Sequence, residues 1–423
     1  MTAILIPVIS LLLSFAILLM GNGLQGTLLP LRAGHEGFSP LSIGIMGATY
    51  YAGYIGACFA APHVVARVGH IRSFTVFGTV ASAAAMVHAI FVNDATWWTL
   101  RLITGFCMAG LYMIMESWIN ERAGTEHRGQ ILSVYQIVNL VSLTVGQMLL
   151  TVSDPRGFEL FALSSILVSV ALVPVALTRT TAPKPLNHVR IRLRWVWGIS
   201  PVGIVGCVTV GLVNGAVWTV VPLFAQRLLP NITELAVFMS LIIIGGAVFQ
   251  WPLGRWSDRT DRRWVIIAIC LGGGLAGIAI VLFGHLSNLI LFALAFVYGG
   301  FTFSLYAVVL AHANDAAGPQ DFVEIASTLL LVFAVAAVAG PLLASGAMQV
   351  FGYNSFFGYS TLVHILTAAF AFYRMNKRAA PPPEAKSDFV HMPRTSPEVF
   401  SLDPRSDADG NGSGPALMPD DTQ

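Results

Sequence analysis

Long apolar stretches, broken by short polar turns, run through almost the whole chain. Splitting the sequence at charged residues and at clusters of Gly, Pro, Asn and Asp gives twelve such segments. Crossing a hydrocarbon core of about 30 Å takes about twenty mainly apolar residues in a helix, and each segment is long enough. The segments lie near residues 4–29, 41–64, 72–92, 95–118, 130–151, 157–178, 200–226, 235–256, 264–283, 287–311, 322–348 and 355–374.

The length of these segments predicts transmembrane α-helices. A helix satisfies its own backbone hydrogen bonds in lipid, whereas the strands of a membrane barrel are alternating stretches of about ten residues. Composition agrees, because apolar residues make up 56% and charged residues only 10% of the chain, against roughly 25% charged residues in soluble domains. We therefore predict an all-α integral membrane protein with twelve transmembrane helices.

The distribution of Lys and Arg predicts both chain ends on the cytoplasmic side of the inner membrane. In that arrangement the outer loops carry Arg32, Arg156 and Arg227, while the inner loops carry most of the other basic residues. Residues 179–199 are basic and contain proline, so they are predicted to form a cytoplasmic linker. Residues 375–423 are rich in Pro, Gly, Ser and acidic residues, which predicts a disordered cytoplasmic tail.

The sequence repeats itself at an offset of 192 residues. NGLQGTLLPL begins at Asn22 and NGAVWTVVPL begins at Asn214, with Asn, Gly, Thr, Pro and Leu at the same places. Six segments separate the two copies, so both enter the membrane in the same direction. This predicts two parallel six-helix halves with a pseudo-symmetric cavity between them. The halves are residues 1–178 and 200–374.

Two loop and helix motifs make residues 1–374 resemble the major facilitator superfamily (MFS). The loop between the eighth and ninth segments, GRWSDRTDRR, matches the family pattern G-x-x-x-D-R-x-x-R-R, and the earlier copy, PHVVARVGHIR, keeps part of it. In the fourth segment, RLITGFCMAG carries the family's Arg followed by Gly. GNGLQGTLLPLR and MESWINERA are similar to the bacterial YcaD-like branch of the family.

This resemblance implies the MFS fold and a secondary active transporter that moves a small organic solute by alternating access. It also implies a gate at the inner mouth, where the family's loop bonds charges across the mouth and to a helix end in the opposite half. The residues matching that gate are Arg67, Gly254, Asp258, Arg259, Arg262 and Arg263.

Ionisable side chains in the middle of apolar segments suggest function, because each costs at least about 2.5–3.5 kcal/mol on insertion scales. Arg101 and Glu116 lie about 22 Å apart along one helix, too far to pair, and Tyr112 lies on the same side. We hypothesise that Arg101 binds an anionic group of the substrate or a coupling carboxylate. Glu116 is the candidate for proton coupling, since burial favours the neutral carboxyl group. The alternative is that Glu116 pairs with Arg122 or Arg128 at the cytoplasmic rim.

Polar residues in the repeated segments are candidates for substrate contact. Asn22 and Gln25 are three residues apart on one helical face, and Asn214 and Trp218 are four apart. In the family these two helices line the central site. Hydrogen bonding between helices is the alternative role for such residues. The predicted substrate-binding set is Asn22, Gln25, Thr27, Arg101, Tyr112, Gln136, Asn139, Asn214 and Trp218.

Missing motifs narrow the function further. No G-x-x-x-x-G-K-[ST] loop is present, so an ion gradient, with protons as the expected ion, must supply the energy. No metal-ligand cluster or nucleophile–base pair is present, so we expect neither an enzyme nor a bound metal or cofactor. The net charge of +2 gives no support for nucleic-acid binding. We expect a monomer whose partners are a small-molecule substrate, protons and membrane lipid. The rival class is a non-transporting membrane receptor or scaffold that acts through its tail.

Overall fold

The computed structural model describes residues 9–177, 191–315, 321–377, 386, 389–390 and 392–403, with only the backbone for 123–126. Within these residues, twelve helices are long and apolar enough to cross a membrane, which confirms the predicted fold class. They are α1 (Ile9–His35), α2 (Pro40–Val68), α3 (His70–Ile90), α4 (Asp94–Arg122), α5 (His127–Val152), α6 (Glu159–Ala176), α7 (Pro201–Leu228), α8 (Ile232–Arg259), α9 (Arg262–Phe283), α10 (Asn288–Asn314), α11 (Phe322–Phe351) and α12 (Ser355–Met375).

Side-chain caps fix several of the helix starts. The Ser39 hydroxyl accepts from the amide of Ser42 at the start of α2, and Asn93 caps α4 in the same way. These caps satisfy backbone amides that have no partner within the helix. By contrast, α1 continues through Pro30 well past its predicted end at residue 29, because neighbouring helices compensate for a proline in a transmembrane helix.

The chain reverses direction between α4 and α5. The Tyr135 hydroxyl donates a hydrogen bond to Glu116, nineteen residues earlier. In a straight helix those residues would lie about 28 Å apart. The backbone stays helical through the reversal, and α5 packs antiparallel to α4.

Equivalent glycines bring equivalent helices together in the two halves. A Cβ atom on Gly53 of α2 would lie under 3.0 Å from the carbonyl oxygen of Leu102 in α4. A Cβ atom on Gly245 of α8 would meet the carbonyl oxygen of Phe296 in α10 in the same way. Small residues allow this close backbone approach in membrane bundles.

A second pair of contacts obeys the same repeat. Gly146 of α5 lies against the carbonyl oxygen of Met20 in α1, and Gly340 of α11 lies against that of Leu212 in α7. Gly340 lies 194 positions after Gly146, and Leu212 lies 192 positions after Met20. Both of these glycine contacts within α1–α6 therefore have counterparts within α7–α12, as expected for a parallel repeat.

The outward faces of the helices are apolar. Ile137, Leu275 and Leu289 are 61%, 67% and 78% exposed, and many other large apolar side chains share this position. Soluble monomers rarely expose apolar patches of such extent, so this surface is the lipid-facing one.

The two halves touch on one side of the bundle. We call the side that carries the short helix Leu193–Ile199 the linker side. Toward the opposite side, Gly47 of α2 meets Thr219 of α7, and Gly44 of α2 meets Ser345 of α11, each too closely for a Cβ atom. The bundle is therefore closed on the side opposite the linker. Residues 179–190, which are most of the predicted linker, lie outside the described residues.

Residues 392–403, hereafter the tail segment, are packed among the helices on the linker side. Val399, Phe400 and Leu402 are fully buried, and the Phe400 ring lies 6.5 Å from that of Phe322 in α11. The prediction of a disordered tail is wrong for this segment, because its few apolar residues find buried positions between the halves. The residues after 403 lie outside the described part of the chain.

Candidate functional site

A cavity of about 240 Å³ lies between the halves. Because a single water molecule needs about 10–15 Å³ by the same measure, a small organic molecule fits inside. Helices α1, α2, α4, α5, α7, α8, α10 and α11 line the cavity, together with the tail segment. The polar and aromatic residues of its lining are Asn22, Tyr50, Tyr51, Tyr54, Arg101, Tyr112, Gln136, Asn139, Gln147, Asn214, Trp218, Thr219, Gln250, Phe303, Tyr306, Phe333, Arg394 and Thr395.

The N-terminal half supplies a cation held against an aromatic ring. The guanidinium carbon of Arg101 lies 4.1 Å from the centroid of the Tyr50 ring. Its Nε atom is buried without a hydrogen-bond partner among the described residues. Asn22 lies within hydrogen-bonding reach of both Tyr50 and Tyr112. This wall therefore presents a positive charge and a cluster of hydroxyl and amide groups.

The C-terminal half supplies an amide with no protein partner. Asn214 is 2% exposed, and both polar atoms of its side chain lack a hydrogen-bond partner in the described structure. Trp218, one turn further along α7, packs with its ring 5.9 Å from that of Phe303. Leaving a buried polar group unsatisfied costs about 1–3 kcal/mol, so Asn214 is suited to bind a ligand.

Seven of the nine predicted substrate-binding residues line the cavity, namely Asn22, Arg101, Tyr112, Gln136, Asn139, Asn214 and Trp218. Gln25 does not, because three residues along a helix turn its side chain about 60° away from Asn22. Thr27 does not either. Its hydroxyl donates to Oε1 of Gln147 at 2.6 Å, and the Gln147 amide donates to the Gly23 carbonyl at 2.9 Å. Thr27 thus has the alternative role, hydrogen bonding between helices.

Glu116 is fully buried on α4, outside the lining of the cavity. Its carboxylate accepts hydrogen bonds from the hydroxyls of Tyr135 in α5 and Ser396 in the tail segment. Within the described part of the chain, these two hydroxyls are the hydrogen-bond partners found for the Glu116 carboxylate, rather than the alternative partners Arg122 and Arg128. Glu116 therefore connects two spans and the tail, and it carries no permanent counter-ion among these contacts.

Arg394 of the tail segment enters the cavity from the linker side. Its guanidinium carbon lies 5.6 Å from the centroids of the Phe303 and Tyr306 rings and 5.3 Å from that of Phe333. The Tyr54 hydroxyl donates a hydrogen bond of 3.5 Å to the Arg394 carbonyl. The tail segment thus fills part of the space that the two halves enclose.

The motif between α8 and α9 is organised by Arg262. Its guanidinium pairs with Asp258 at 3.0 Å and with Asp315, at the end of α10, at 2.6 Å. The resemblance implies a contact with a helix end in the opposite half. These two pairs do not make that contact, because both carboxylates belong to the C-terminal half. Instead, Gly254 packs against Phe389 of the tail, which occupies the linker side of this motif.

The other basic residues of the motif differ in burial. Arg263 is buried and pairs with Asp261 at 2.7 Å, whereas Arg67 and Arg259 are exposed. Burial raises the pKa of Asp261, but the hydrogen bonds from Arg263 outweigh it and hold the pKa below its ordinary value. The gating role of these residues stays a prediction.

Sequence reasoning missed two contributions to the cavity. The aromatic residues Phe303, Tyr306 and Phe333 sit in apolar spans, where nothing in the sequence separates them from packing residues. Arg394 was missed because the composition around it is typical of disorder. The apolar residues that flank it, Met392 and the pair Val399–Phe400, were the available signal.

Three comparisons place this geometry among known proteins. The family model described as Major Facilitator Superfamily matches residues 11–227 and 203–405. The uncharacterized MFS-type transporter YcaD of Escherichia coli O17:K52:H18 is 24% identical over 356 residues, covering 83% of this chain and 91% of that protein. An uncharacterized MFS-type transporter of Enterobacter sp. (strain 638) is 25% identical over 382 residues, covering 88% of this chain and 96% of its own.

Solved structures share the fold. The crystal structure of the nucleoside transporter NupG superposes with a TM-score of 0.72 at 11% identity, covering 88% of this chain and 99% of that one. A bacterial homolog of the human lysosomal transporter Spinster, in an inward-facing and occupied conformation, gives a TM-score of 0.72 at 12% identity, covering 90% and 98%. At these identities the likeness concerns the fold alone.

Proposed function

Because the chain belongs to the major facilitator superfamily, a family of membrane transporters, we propose that it carries a small polar organic solute across the inner membrane by alternating access, coupled to protons. The observation that carries this proposal is the convergence of polar groups from both halves on one cavity, with Asn22 and Arg101 facing Asn214. A central cavity between parallel repeats is where transporters of this architecture bind substrate.

The chemistry of the lining supports a polar solute with an anionic group. Both polar side-chain atoms of Asn214 are buried without a hydrogen-bond partner in the described structure, and a solute could supply one. The same holds for the Nε donor of Arg101. An anionic group beside the guanidinium would gain a charge-assisted hydrogen bond, which is about twice as strong as a neutral one. Gln136 and Asn139 add further amide groups to the same wall.

The contacts between the halves support alternating access. They are tight on the side opposite the linker, where Gly47 meets Thr219, whereas the tail segment separates the halves on the linker side. With the linker side facing the cytoplasm, as the basic residues predict, this is a conformation closed to the outside. Rocking of the two halves would open the cavity to the other side.

Glu116 is the group that supports proton coupling. It is fully buried, and its carboxylate accepts hydrogen bonds from Tyr135 and Ser396. When protonated, one of its oxygens becomes a donor, so that it no longer accepts equally from both hydroxyls. Binding of a proton would therefore change a contact between the membrane domain and the tail segment.

A two-step experiment tests the transport proposal. Purified protein in detergent is first screened for thermal stabilisation by polar metabolites at two pH values, because a ligand that binds the folded state raises the melting temperature. The stabilising compounds are then tested for uptake into proteoliposomes with and without a pH gradient. We expect uptake that the gradient drives.

Matched variants make the result specific. Asn214→Ala should weaken solute binding about tenfold, because one good hydrogen bond in a buried site is worth about 1.4 kcal/mol. Leu275→Ala, on the lipid-facing surface, is the control and should leave affinity unchanged. If stabilising ligands bind to the cavity but no solute enters the vesicles, the receptor class is favoured instead.

A further inference from the structure

Arg394 is surrounded by aromatic rings rather than by carboxylates. Its guanidinium lies 5.3–5.6 Å from the centroids of three rings, two from α10 and one from α11. A cation within about 6 Å of a ring centroid is attracted by the ring's electrons. We call the three rings, Phe303, Tyr306 and Phe333, the aromatic cage.

The cage holds this charge without a counter-ion from the cavity wall. The lining contains no Asp or Glu among the described residues, and its other ion, Arg101, is itself positive. The Nη1 atom of Arg394 is buried and has no hydrogen-bond partner in the described structure. A guanidinium group is planar and weakly hydrated, so it suits such a site better than a compact ammonium group does. The rings therefore account for the stabilisation of the cation.

The tail segment presents Arg394 to the cage as a ligand would. On one side of Arg394 lies Met392, 1% exposed, and on the other the Ser396 hydroxyl bonds to Glu116. Further along, Val399 and Phe400 are fully buried. The guanidinium is thus inserted into the cavity by a chain that enters and leaves on the linker side.

We propose that the aromatic cage is a binding subsite for a guanidinium group of the solute, and that Arg394 occupies it as an internal ligand. That the ligand of the cage is the transported solute rests on the proposed function. The preference of the cage for cations does not depend on it. With Arg101 available for an anionic group in the opposite half, the solute class is a molecule that carries both a cationic and an anionic group.

A direct consequence is competition between the tail and cationic ligands. When Arg394 is present, a ligand must displace it before entering the cage, which lowers the apparent affinity. When Arg394 is replaced by alanine, the cage is free and the full affinity becomes measurable.

The test uses the full chain and two probes of the same shape. N-acetyl-arginine amide carries a guanidinium, and N-acetyl-citrulline amide carries a neutral urea in its place. Isothermal titration with purified protein should show at least about tenfold tighter binding of the arginine probe to Arg394→Ala than to the parent, in the range expected for desolvated cation–π contacts. Lys386→Ala, which removes a tail cation bonded to the Thr260 carbonyl outside the cage, is the control and should bind like the parent.

A second variant assigns the effect to the rings. Phe333→Leu in the Arg394→Ala background keeps an apolar side chain but removes one of the three aromatic faces, so the gain in arginine-probe binding should become clearly smaller. Three results would each overturn the proposal: equal affinity of Arg394→Ala and the parent for the arginine probe, an equal gain for the citrulline probe, or a gain that Phe333→Leu leaves undiminished.

Failure of the cage and failure of the transport proposal give different results. Probe binding requires no translocation, so cage binding without solute uptake refutes transport alone. Uptake of a solute with no cationic group, together with unchanged probe binding in Arg394→Ala, refutes the cage alone.

Discussion

The hydroxyl of Ser396 donates a hydrogen bond to Oε2 of Glu116, a carboxylate that lies 280 residues earlier in the chain and is fully buried in α4. The other oxygen of the same carboxylate accepts from Tyr135. A proton on this carboxyl group would therefore change the hydrogen bond that it makes with the tail segment. The coupling proposal depends on this contact, and the same contact anchors the segment that carries Arg394.

Glu116→Gln should abolish the pH dependence of solute uptake, because glutamine keeps the size and one acceptor oxygen but cannot bind the proton. The measurement is uptake into proteoliposomes over a range of internal pH. Tyr135→Phe is the control, since it removes a hydrogen bond but leaves the carboxylate in place. An unchanged pH profile in Glu116→Gln would remove Glu116 from the coupling mechanism.

Ser396→Asp should expel the tail segment at alkaline pH, where both carboxyl groups are ionised, because two carboxylates in contact in a buried site repel strongly. The readout is labelling of Cys207 by N-ethylmaleimide, followed by mass spectrometry of the peptides. Cys207 is fully buried in α7 and lies near Arg394 of the tail segment. We expect labelling several times faster than in the parent.

Ser396→Ala is the matched control for this measurement. It removes one hydrogen bond, worth about 1 kcal/mol, and introduces no charge. Its Cys207 labelling should stay close to that of the parent. If N-ethylmaleimide labelled Cys207 as slowly in Ser396→Asp as in the parent, the contact with Glu116 would not be what holds the tail segment in place.

Asp315→Asn should destabilise the protein far more than Asp258→Asn does. Arg262 and Asp315 are 1% and 2% exposed, and removing one partner of a buried pair costs about 3–5 kcal/mol. Asp258 is 31% exposed, and its pair with Arg262 is expected to contribute about 0–1 kcal/mol. Thermal unfolding in detergent measures both losses. If the two variants lowered the melting temperature equally, the pair between Arg262 and Asp315 would contribute no more stability than the pair with Asp258.

Gly53→Ala and Gly245→Ala should destabilise the protein by similar amounts, about 1–3 kcal/mol or more, because each new methyl group would meet a backbone carbonyl in a neighbouring helix. Gly346→Ala in α11 is the control, since nothing lies within 4 Å of its Cβ position. Melting temperatures give the comparison. If the two repeat positions tolerated alanine as Gly346 does, the close approach of the helices would not be a packing requirement.

Much of the fold follows from the sequence because lipid imposes simple demands. Each span must be long, apolar and helical, so the twelve helices and the repeat of Asn22 at Asn214 could be predicted. The polar side chains facing the cavity were partly predictable for the same reason, since polar groups avoid lipid. Whether a given polar side chain faces the cavity or a neighbouring helix depends on rotations of about 60° around the helix axis, and this is why Gln25 and Thr27 lie outside the cavity lining.

The tail could not be predicted in this way. Its disorder was expected from low average hydrophobicity, but burial depends on a few side chains that find space between two other surfaces. Phe400 and Arg394 are such side chains, and the surfaces that receive them are assembled from residues far away in the sequence. Composition averages over the segment and therefore hides them.

The glycine contacts within each half also bear on how the two halves would move. Where Gly53 and Gly245 bring backbones together, no flexible side chain lies between the helices to absorb a displacement. Each half would then move as a rigid body. A tilt of about 10° shifts one end of a helix about 30 Å long by roughly 5 Å relative to the other end. That distance is close to the width of one extended chain, about 4.8 Å, so a small rotation would be enough to grip or release a single strand such as the tail.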